Sequence, residues 1–108
     1  MLAKANRIVH GGDFRRIVRT GRRAGGPLAV VHRAQPEAAV ARFGFIVSKQ
    51  VGNAVVRNRV KRRLSEIVRE ELPTIEATDI VIRALPAAGK ADFATLKAGI
   101  APLLEQRS

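Results

Sequence analysis

The middle of the chain carries the clearest periodic pattern of apolar residues. Over residues 56–72, apolar side chains recur every three or four positions, at Val56, Val60, Leu64, Ile67 and Val68. Successive residues of an α-helix advance by about 100°, so this spacing places all five side chains on one face. Pro73 cannot extend the helix because it lacks a backbone N–H. The pattern predicts a long amphipathic helix that buries one face.

Two shorter helices are predicted nearer the ends of the chain. Asp13 is a residue type that caps helices, and Gly21 is one that ends them. Between them, one helical face carries Phe14, Ile17 and Val18. Residues 91–104 show the same helical spacing at Phe93, Leu96, Ile100 and Leu103.

The remaining apolar segments predict β-strands. Residues 28–33 and 42–48 have strand composition, and residues 79–85 contain three consecutive β-branched residues, typical of a strand buried on both faces. Residues 22–27 are basic and glycine-rich and predict at most a brief edge strand. At 108 residues the chain is long enough for one core and too short for two. We therefore expect a single α+β domain over residues 1–108, with one mixed sheet of about four strands packed against helices.

Positive charge dominates the chain and is concentrated in its first two thirds. The formal net charge is +11, from 20 Lys and Arg against nine Asp and Glu. Residues 1–69 hold 16 of the basic and three of the acidic side chains, whereas residues 70–108 hold four basic and six acidic ones. Such a one-signed field attracts polyphosphates and stabilises their binding by counterion release. We expect a nucleic acid partner. A well-solvated surface and attraction to anionic lipid are the alternatives.

Several kinds of protein are excluded by what the sequence lacks. The longest apolar run is far too short to span a bilayer, and the N-terminus has no secretory signal pattern. The absence of cysteine excludes disulfides and thiolate metal sites. No metal-ligand spacing, Ser/His/Asp order or P-loop occurs. We expect a cytoplasmic protein with no catalytic or metal-binding residues of its own.

Charged residues are distributed unevenly around the predicted central helix. On the side away from the apolar face, Arg59 and Arg63 lie among Glu66 and Glu70, which offer local neutralisation, so both arginines are predicted to be ordinary surface residues. Beside the apolar face lies a basic group with only Glu66 at its edge: Arg57, Asn58, Lys61, Arg62 and Arg69. Guanidinium groups match phosphate oxygens, and an Asn amide suits a 2′-hydroxyl or a base edge. This group predicts an RNA contact. A solvated helix face and a localisation-like basic cluster are the alternatives.

Two neighbouring segments bear on RNA binding. Lys49 follows a predicted strand, and Gly52 and Asn53 precede the helix, where backbone N–H groups and the positive end of the helix dipole favour anions. The strand RFGFIV is similar to the aromatic strand of the RNA-recognition motif, but it lacks that motif's glycine and closing aromatic. Because Phe43 and Phe45 share one strand face, we expect them to pack in the core.

Residues 43–62 resemble the signature of the bacterial ribonuclease P protein component. The shared features are a strand ending in Ser-Lys, a Gly-Asn-Ala loop and the helix start Arg57-Asn58-Arg59-Val60-Lys61-Arg62. The resemblance implies an α-β-β-β-α-β-α chain with a left-handed βαβ crossover. It also implies partnership with ribonuclease P RNA, which removes the 5′ leader of precursor tRNA with Mg²⁺ bound mainly by the RNA. No membrane and no stable protein partner are implied.

The resemblance also implies roles for individual residues. Binding of the catalytic RNA is implied for Arg57, Asn58, Arg59, Lys61 and Arg62. Binding of the precursor tRNA leader, in a groove between the first helix and the sheet, is implied for Phe14, Val18, His32, Ile46, Ser48 and Lys49. The chain departs from the family's frequent residues, which are aromatic or basic, at Val18, His32, Gln50, Ser65 and Leu85. Stacking is worth about 1–3 kcal/mol per base, so a groove without these aromatics is expected to bind the leader more weakly or by shape.

Two other functions fit the same basic surface. A ribosomal or general RNA-packaging protein would sediment with ribosomal subunits. A stand-alone nuclease would still cleave after all RNA is removed from the preparation. Reconstitution with the cognate RNA separates both from a ribonuclease P subunit, which must improve cleavage of precursor tRNA at low Mg²⁺.

Overall fold

The computed structural model describes residues 2–105, and its elements follow the predicted α-β-β-β-α-β-α order. The helices and strands are α1 (Gly11–Thr20), β1 (Arg22–Gly25), β2 (Ala29–Ala34), β3 (Arg42–Ile46), α2 (Ala54–Glu71), β4 (Asp79–Ala84) and α3 (Phe93–Glu105). Short 3₁₀ turns occur at Lys4–Asn6, Leu72–Thr74 and Pro86–Gly89. Apart from the start of α1, which lies three residues earlier than predicted, the element bounds differ from those predicted by up to two residues, and the edge strand predicted within residues 22–27 is present as β1.

The four strands form one mixed sheet in the order β1-β2-β4-β3. β2 is antiparallel to both β1 and β4, whereas β3 and β4 are parallel neighbours. A parallel pair needs a crossover connection, and α2 provides it by leaving the end of β3 and returning the chain to the start of β4. The predicted mixed sheet of about four strands, packed with helices, is confirmed.

α2 and α3 cover one face of the sheet and form the main core with it. Every second residue of the central strands points into this core, including Val31, Phe43, Ile80 and Ile82. The predicted apolar face of α2 is buried there through Val60, Leu64, Ile67 and Val68. Full burial of each such side chain contributes roughly 1.5–3 kcal/mol, so this face is a substantial part of the main core.

α1 covers only part of the opposite face of the sheet, where a smaller apolar cluster forms. Ile17 and Val81 are fully buried in it, with Phe14, Val18 and Ile46 half-buried around them. Gly44 lets the Phe14 ring lie on the sheet, because a Cβ at Gly44 would be 2.5 Å from Phe14 Cε1. α1 therefore packs closely against the sheet where it crosses Gly44.

An ionic cluster around Asp79 holds α1 against the sheet. The Asp79 side chain is fully buried, and Arg42 donates to both of its oxygens, at 3.0 Å from Nε and 2.8 Å from Nη2. Arg16 of α1 donates to the same carboxylate. Burial alone would raise the pKa of Asp79, but the hydrogen bonds from Arg42 and Arg16 outweigh it and hold the pKa below its usual value.

The same cluster explains why Asp13 does not cap α1 as predicted. The helix begins at Gly11 after His10, and Asp13 lies within its first turn. There the Asp13 carboxylate lies 3.8 Å from Arg16 Nη2 and 3.7 Å from Arg42 Nη1. An acidic residue is also favoured in this turn by the helix dipole. The prediction was wrong because Arg16, three residues later on α1, and Arg42, which is distant in sequence, both attract the carboxylate.

Candidate nucleic-acid interface

The start of α2 is fixed by the residues of the preceding loop. The Asn53 side chain accepts a hydrogen bond from the Val56 N–H at 3.0 Å, so α2 begins at Ala54 rather than at the first apolar residue of the pattern. At Gly52, a Cβ would lie 2.7 Å from a Val56 methyl, which requires glycine at this close approach. The capped first turn carries the motif residues that follow it.

Four residues near the start of α2 form a surface that we call the α2 basic surface, consisting of Arg57, Asn58, Lys61 and Arg62. Asn58, Lys61 and Arg62 are exposed and Arg57 is half-buried. Within residues 2–105, no carboxylate forms an ion pair with Arg57, Lys61 or Arg62. The structure therefore leaves the charge of these three cations available to an external anion.

The acidic residues of α2 neutralise other cations. Glu66 accepts a hydrogen bond from Arg69 at 2.8 Å, and Glu70 pairs with Lys97 of α3. The hydrogen bond from Arg69 lowers the pKa of Glu66. Arg69 was predicted to belong to the basic group that lacks acidic partners. This was wrong because Glu66 lies three residues earlier on the same face and pairs with it.

Arg59 and Arg63 were predicted to be ordinary surface residues, and this prediction was also wrong. Arg59 Nη2 donates to the carbonyl of Gly89 at 3.1 Å, and Arg63 Nη1 donates to the carbonyl of Ala91 at 2.9 Å. The two side chains, one helical turn apart, fasten α2 to the segment that leads into α3. Because the acceptors are backbone carbonyls brought close by folding, no sequence pattern indicated them.

The segment held by these arginines also supports the loop before α2. Gly89 is buried against Val51, and a Cβ at Gly89 would lie 2.2 Å from the Val51 carbonyl oxygen. Val51 itself is buried in the main core. The loop, the 3₁₀ turn Pro86–Gly89 and α2 therefore fix one another's positions.

The residues assigned to leader binding lie on the α1 side of the sheet and just beyond the end of β3. Phe14 and Val18 of α1 face Ile46 of β3, and strand alternation places His32 on the same side. We call the surface formed by Phe14, Val18, His32 and Ile46 the α1 groove. Ser48 and Lys49 follow β3 and are exposed. The structure thus brings together four of the six predicted positions and sets the other two at the groove's end.

His32 lies deep in the sheet between two arginines. Its neighbour on β1 is Arg23, and Arg83 lies diagonally across on β4, two residues beyond its partner Val81. Burial, and then the positive charges of Arg83 and Arg23, lower the pKa of His32, so the ring is neutral near pH 7. Only 7% of the residue is exposed, which leaves little ring area for a base to stack on.

The aromatic strand has the structural role predicted for it. Phe43 is buried in the main core, and Phe45 packs against that core from a partly buried position. Both rings lie beneath α2 and α3, so they do not form the base-stacking platform of an RNA-recognition motif.

Other parts of the structure offer less to a polyanion. A cleft of about 770 Å³ lies between the ends of α1, α2 and α3, but its lining mixes Arg22 and Arg33 with Glu71, Glu76 and Glu105. Within residues 2–105, no three His, Cys, Asp or Glu side chains are grouped so as to hold a metal ion. Over the same residues, none of the helices has the length and apolar content needed to cross a bilayer.

Comparisons with known proteins agree with the geometry. The family model for ribonuclease P matches residues 2–107. The ribonuclease P protein component of Nocardioides sp. is 47% identical over 100 residues, and the match covers 89% of this chain and 86% of that protein. The component from Streptomyces avermitilis is 48% identical over 106 residues with the same two coverages.

Solved structures resemble the chain over most of its length. The RNase P protein of Staphylococcus aureus superposes with a TM-score of 0.88 at 32% identity, covering 94% of each chain. The RNase P protein of Thermotoga maritima gives 0.85 at 26% identity, covering 94% of this chain and 97% of that one. This agreement is consistent with the left-handed sense implied for the β3-α2-β4 crossover.

Proposed function

Because this chain belongs to the ribonuclease P protein family, we propose that α2 binds the catalytic RNA of that enzyme and that the α1 groove binds the 5′ leader of precursor tRNA. The chain is the protein subunit of ribonuclease P, a ribonucleoprotein endonuclease. The observation that carries the proposal is the α2 basic surface, whose cations have no carboxylate partner in residues 2–105.

Binding of the catalytic RNA is proposed for the five residues of the helix motif. Arg57, Lys61 and Arg62 supply charge to phosphate oxygens, and Asn58 donates and accepts hydrogen bonds at a sugar or base edge. Arg59 uses one N–H for the Gly89 carbonyl and its Nε is buried, so the remaining N–H groups of the guanidinium are the ones proposed to reach the RNA. Counterion release makes this binding strongly dependent on salt.

Leader binding is proposed for the α1 groove and the residues at its end. Phe14, Val18 and Ile46 give the groove an apolar wall on which ribose and base surfaces can pack. Ser48 and Lys49, at the end of β3, supply a hydrogen bond and a positive charge to the strand's backbone. Since Val18 has no aromatic ring and His32 is almost fully buried, we propose that this groove binds its leader by shape and charge more than by stacking.

We assign Mg²⁺ to the RNA rather than to this chain. The described residues contain no cluster of three potential metal-binding side chains, so they do not fit a dedicated metal site. The protein's proposed contribution is positional. Its cations reduce repulsion between the RNA subunit and its substrate, and so lower the Mg²⁺ concentration needed for their association. We also propose that the protein acts in the cytoplasm, where precursor tRNA is processed in bacteria.

Reconstitution tests the proposal. Cleavage of precursor tRNA by the cognate RNA subunit is measured over a range of low Mg²⁺ concentrations, with and without the protein. We expect cleavage at Mg²⁺ concentrations where the RNA alone is nearly inactive. Equal rates with and without the protein would contradict the proposed role, and cleavage by the RNA-free protein would indicate a stand-alone nuclease.

A further inference from the structure

The face of the sheet that α1 packs on also carries two arginines that the helix motif does not include. Arg83 lies in register with Val30 of β2 and Ile46 of β3, and Arg23 lies opposite His32. By strand alternation, all of these side chains are on the face that forms the α1 groove. Arg23 and Arg83 are both exposed.

The acidic residues of this face lie at its other end. Asp79 is in register with Ala34 of β2 and Arg42 of β3. Arg16 and Arg42 form ion pairs with both Asp79 and Asp13. No carboxylate in residues 2–105 forms an ion pair with Arg23 or Arg83. The half of the face toward the end of β3 therefore has uncompensated positive charge.

We propose that Arg23 and Arg83 bind the phosphate backbone of the precursor tRNA leader on either side of His32, as a cation pair within the α1 groove. Their strands are separated by β2, which places the two backbones about 10 Å apart. Long arginine side chains at this separation can contact the same single strand of RNA. Lys49, beyond the end of β3, extends the row of cations in the direction of α2.

Two further observations support a ligand in this position. His32 is 93% buried, and its Nδ1 has no hydrogen-bond partner in the structure. The ring is also neutral near pH 7, since burial and the two arginines lower its pKa, so it adds no third charge to the arginine pair.

The inference rests on the proposed leader binding, and the experiment separates the two. Affinity of the reconstituted holoenzyme is measured over a range of salt concentrations for precursor tRNA and for the same tRNA without a leader. The variants are Arg23→Gln and Arg83→Gln. Arg22→Gln is the matched control, because Arg22 is also exposed on β1. Its register partner on β2 is Arg33 rather than His32, so the Arg22 side chain lies on the opposite face of the sheet.

We expect each of the two variants to weaken binding of the leader-bearing substrate severalfold and to lower its salt slope by about one. The affinity of these two variants for the leaderless tRNA should equal that of the wild type. The Arg22→Gln holoenzyme should bind both substrates with wild-type affinity. Arg83→Lys should restore most of the salt slope, because the point charge is retained. The thermal unfolding midpoint of each variant is also measured. A midpoint equal to that of the wild type shows that the fold is intact.

Two results would overturn the inference while leaving the proposed function intact. One is an equal loss of affinity for leader-bearing and leaderless tRNA, which would show that the pair acts only through the general field of the protein. The other is wild-type behaviour of both variants. If instead the wild-type holoenzyme binds the two substrates equally, the leader-binding function itself fails.

Discussion

The arginines of this protein differ in what their guanidinium groups contact. Arg42 binds a buried carboxylate through two hydrogen bonds, and Arg63 binds a backbone carbonyl. Arg62 is exposed and pairs with no carboxylate of residues 2–105. The same side chain therefore serves folding in the first two cases and is free to bind an anion in the third. Sequence position alone does not distinguish these roles, because the partners are distant along the chain.

The α2 basic surface can be tested one arginine at a time. We expect Arg57→Ala and Arg62→Ala each to weaken binding of the catalytic RNA and to lower the salt slope of log K by roughly one, because each removes about one phosphate contact. The measurement is equilibrium binding of RNA to the purified protein at several salt concentrations. Arg69→Ala is the control on the same helix, since Arg69 is paired with Glu66. If the salt slope of log K fell equally in all three variants, the arginines without a carboxylate partner would contribute no more to RNA binding than the paired Arg69.

Asp79 is the residue on which the attachment of α1 depends. Asp79→Asn leaves Arg16 and Arg42 with an uncharged partner, and breaking a buried ion pair in this way costs about 3–5 kcal/mol of unfolding free energy. Urea unfolding measures the loss. Glu37→Gln is the control, because Glu37 is more than half exposed and lies 3.4 Å from Arg16, so its loss should cost less than about 1 kcal/mol. Similar losses in the two variants would mean that burial of Asp79 has no special effect.

At the scale of elements, α2 presents three different surfaces. Its apolar face fills the main core, Arg59 and Arg63 hold the segment before α3, and the α2 basic surface faces solvent. A helix fixed on two sides presents the third with little freedom to move. Binding groups held rigidly lose less conformational entropy when they bind, so this attachment favours tight RNA binding.

The contact between Gly89 and the loop before α2 predicts a position-specific effect. A Cβ at Gly89 meets the Val51 carbonyl, so Gly89→Ala should displace the loop and cost about 1–3 kcal/mol of unfolding free energy. The catalytic RNA should also bind less tightly, because the loop positions the start of α2. Gly25→Ala is the matched control, since a Cβ at Gly25 has nothing within 4 Å. Chemical unfolding and RNA binding of both variants check the prediction, and equal behaviour of the two would contradict it.

At the scale of the whole molecule, the sheet separates the two surfaces that we propose bind RNA. α2 lies on one face and the α1 groove on the other, and residues 47–53 connect them at the end of β3. Lys49 lies within this connection and is exposed. A leader strand that follows the groove toward the end of β3 therefore approaches the RNA proposed to bind α2. The two proposed contacts, one with the catalytic RNA and one with its substrate, therefore fit on one small domain.

The stability of the whole molecule should fall as the pH is lowered. The pKa of Asp79 is depressed in the folded protein, so its contribution is complete above the unfolded value near 3.8 and is lost as the pH falls through the folded value. The pKa of His32 is also depressed. Its neutral form is favoured by folding, so its contribution is complete above 6.5 and is lost as the pH falls toward its folded pKa.

Urea unfolding between pH 8 and pH 3 measures these two contributions. We expect the unfolding free energy to decline first below about pH 6.5. In His32→Gln, which cannot become charged, the decline below pH 6.5 should be smaller, and the fall near the pKa of Asp79 should persist. A wild-type curve that is flat between pH 7 and pH 5 would show that His32 is protonated as easily in the folded state as in the unfolded one.

The sequence by itself determined the order of the elements, the buried face of α2 and the identity of the basic motif. These features are local, because apolar periodicity, turn residues and residue types near the start of one helix are all properties of neighbouring positions. The predicted packing of Phe43 followed from the same alternation. The chemistry of RNA binding could therefore be predicted before the structure was known, although the residues assigned to it still await the binding measurements above.

Only the tertiary structure decided which charges are free. Asp13 was predicted to cap a helix and instead contacts Arg42, and Arg59 was predicted to be ordinary surface and instead holds Gly89. The pairing of β2 between β1 and β4 likewise brought Arg23 and Arg83 to either side of His32. Each of these contacts joins residues far apart in sequence, and electrostatic partners are chosen by distance in space. A linear pattern of charges cannot supply that distance.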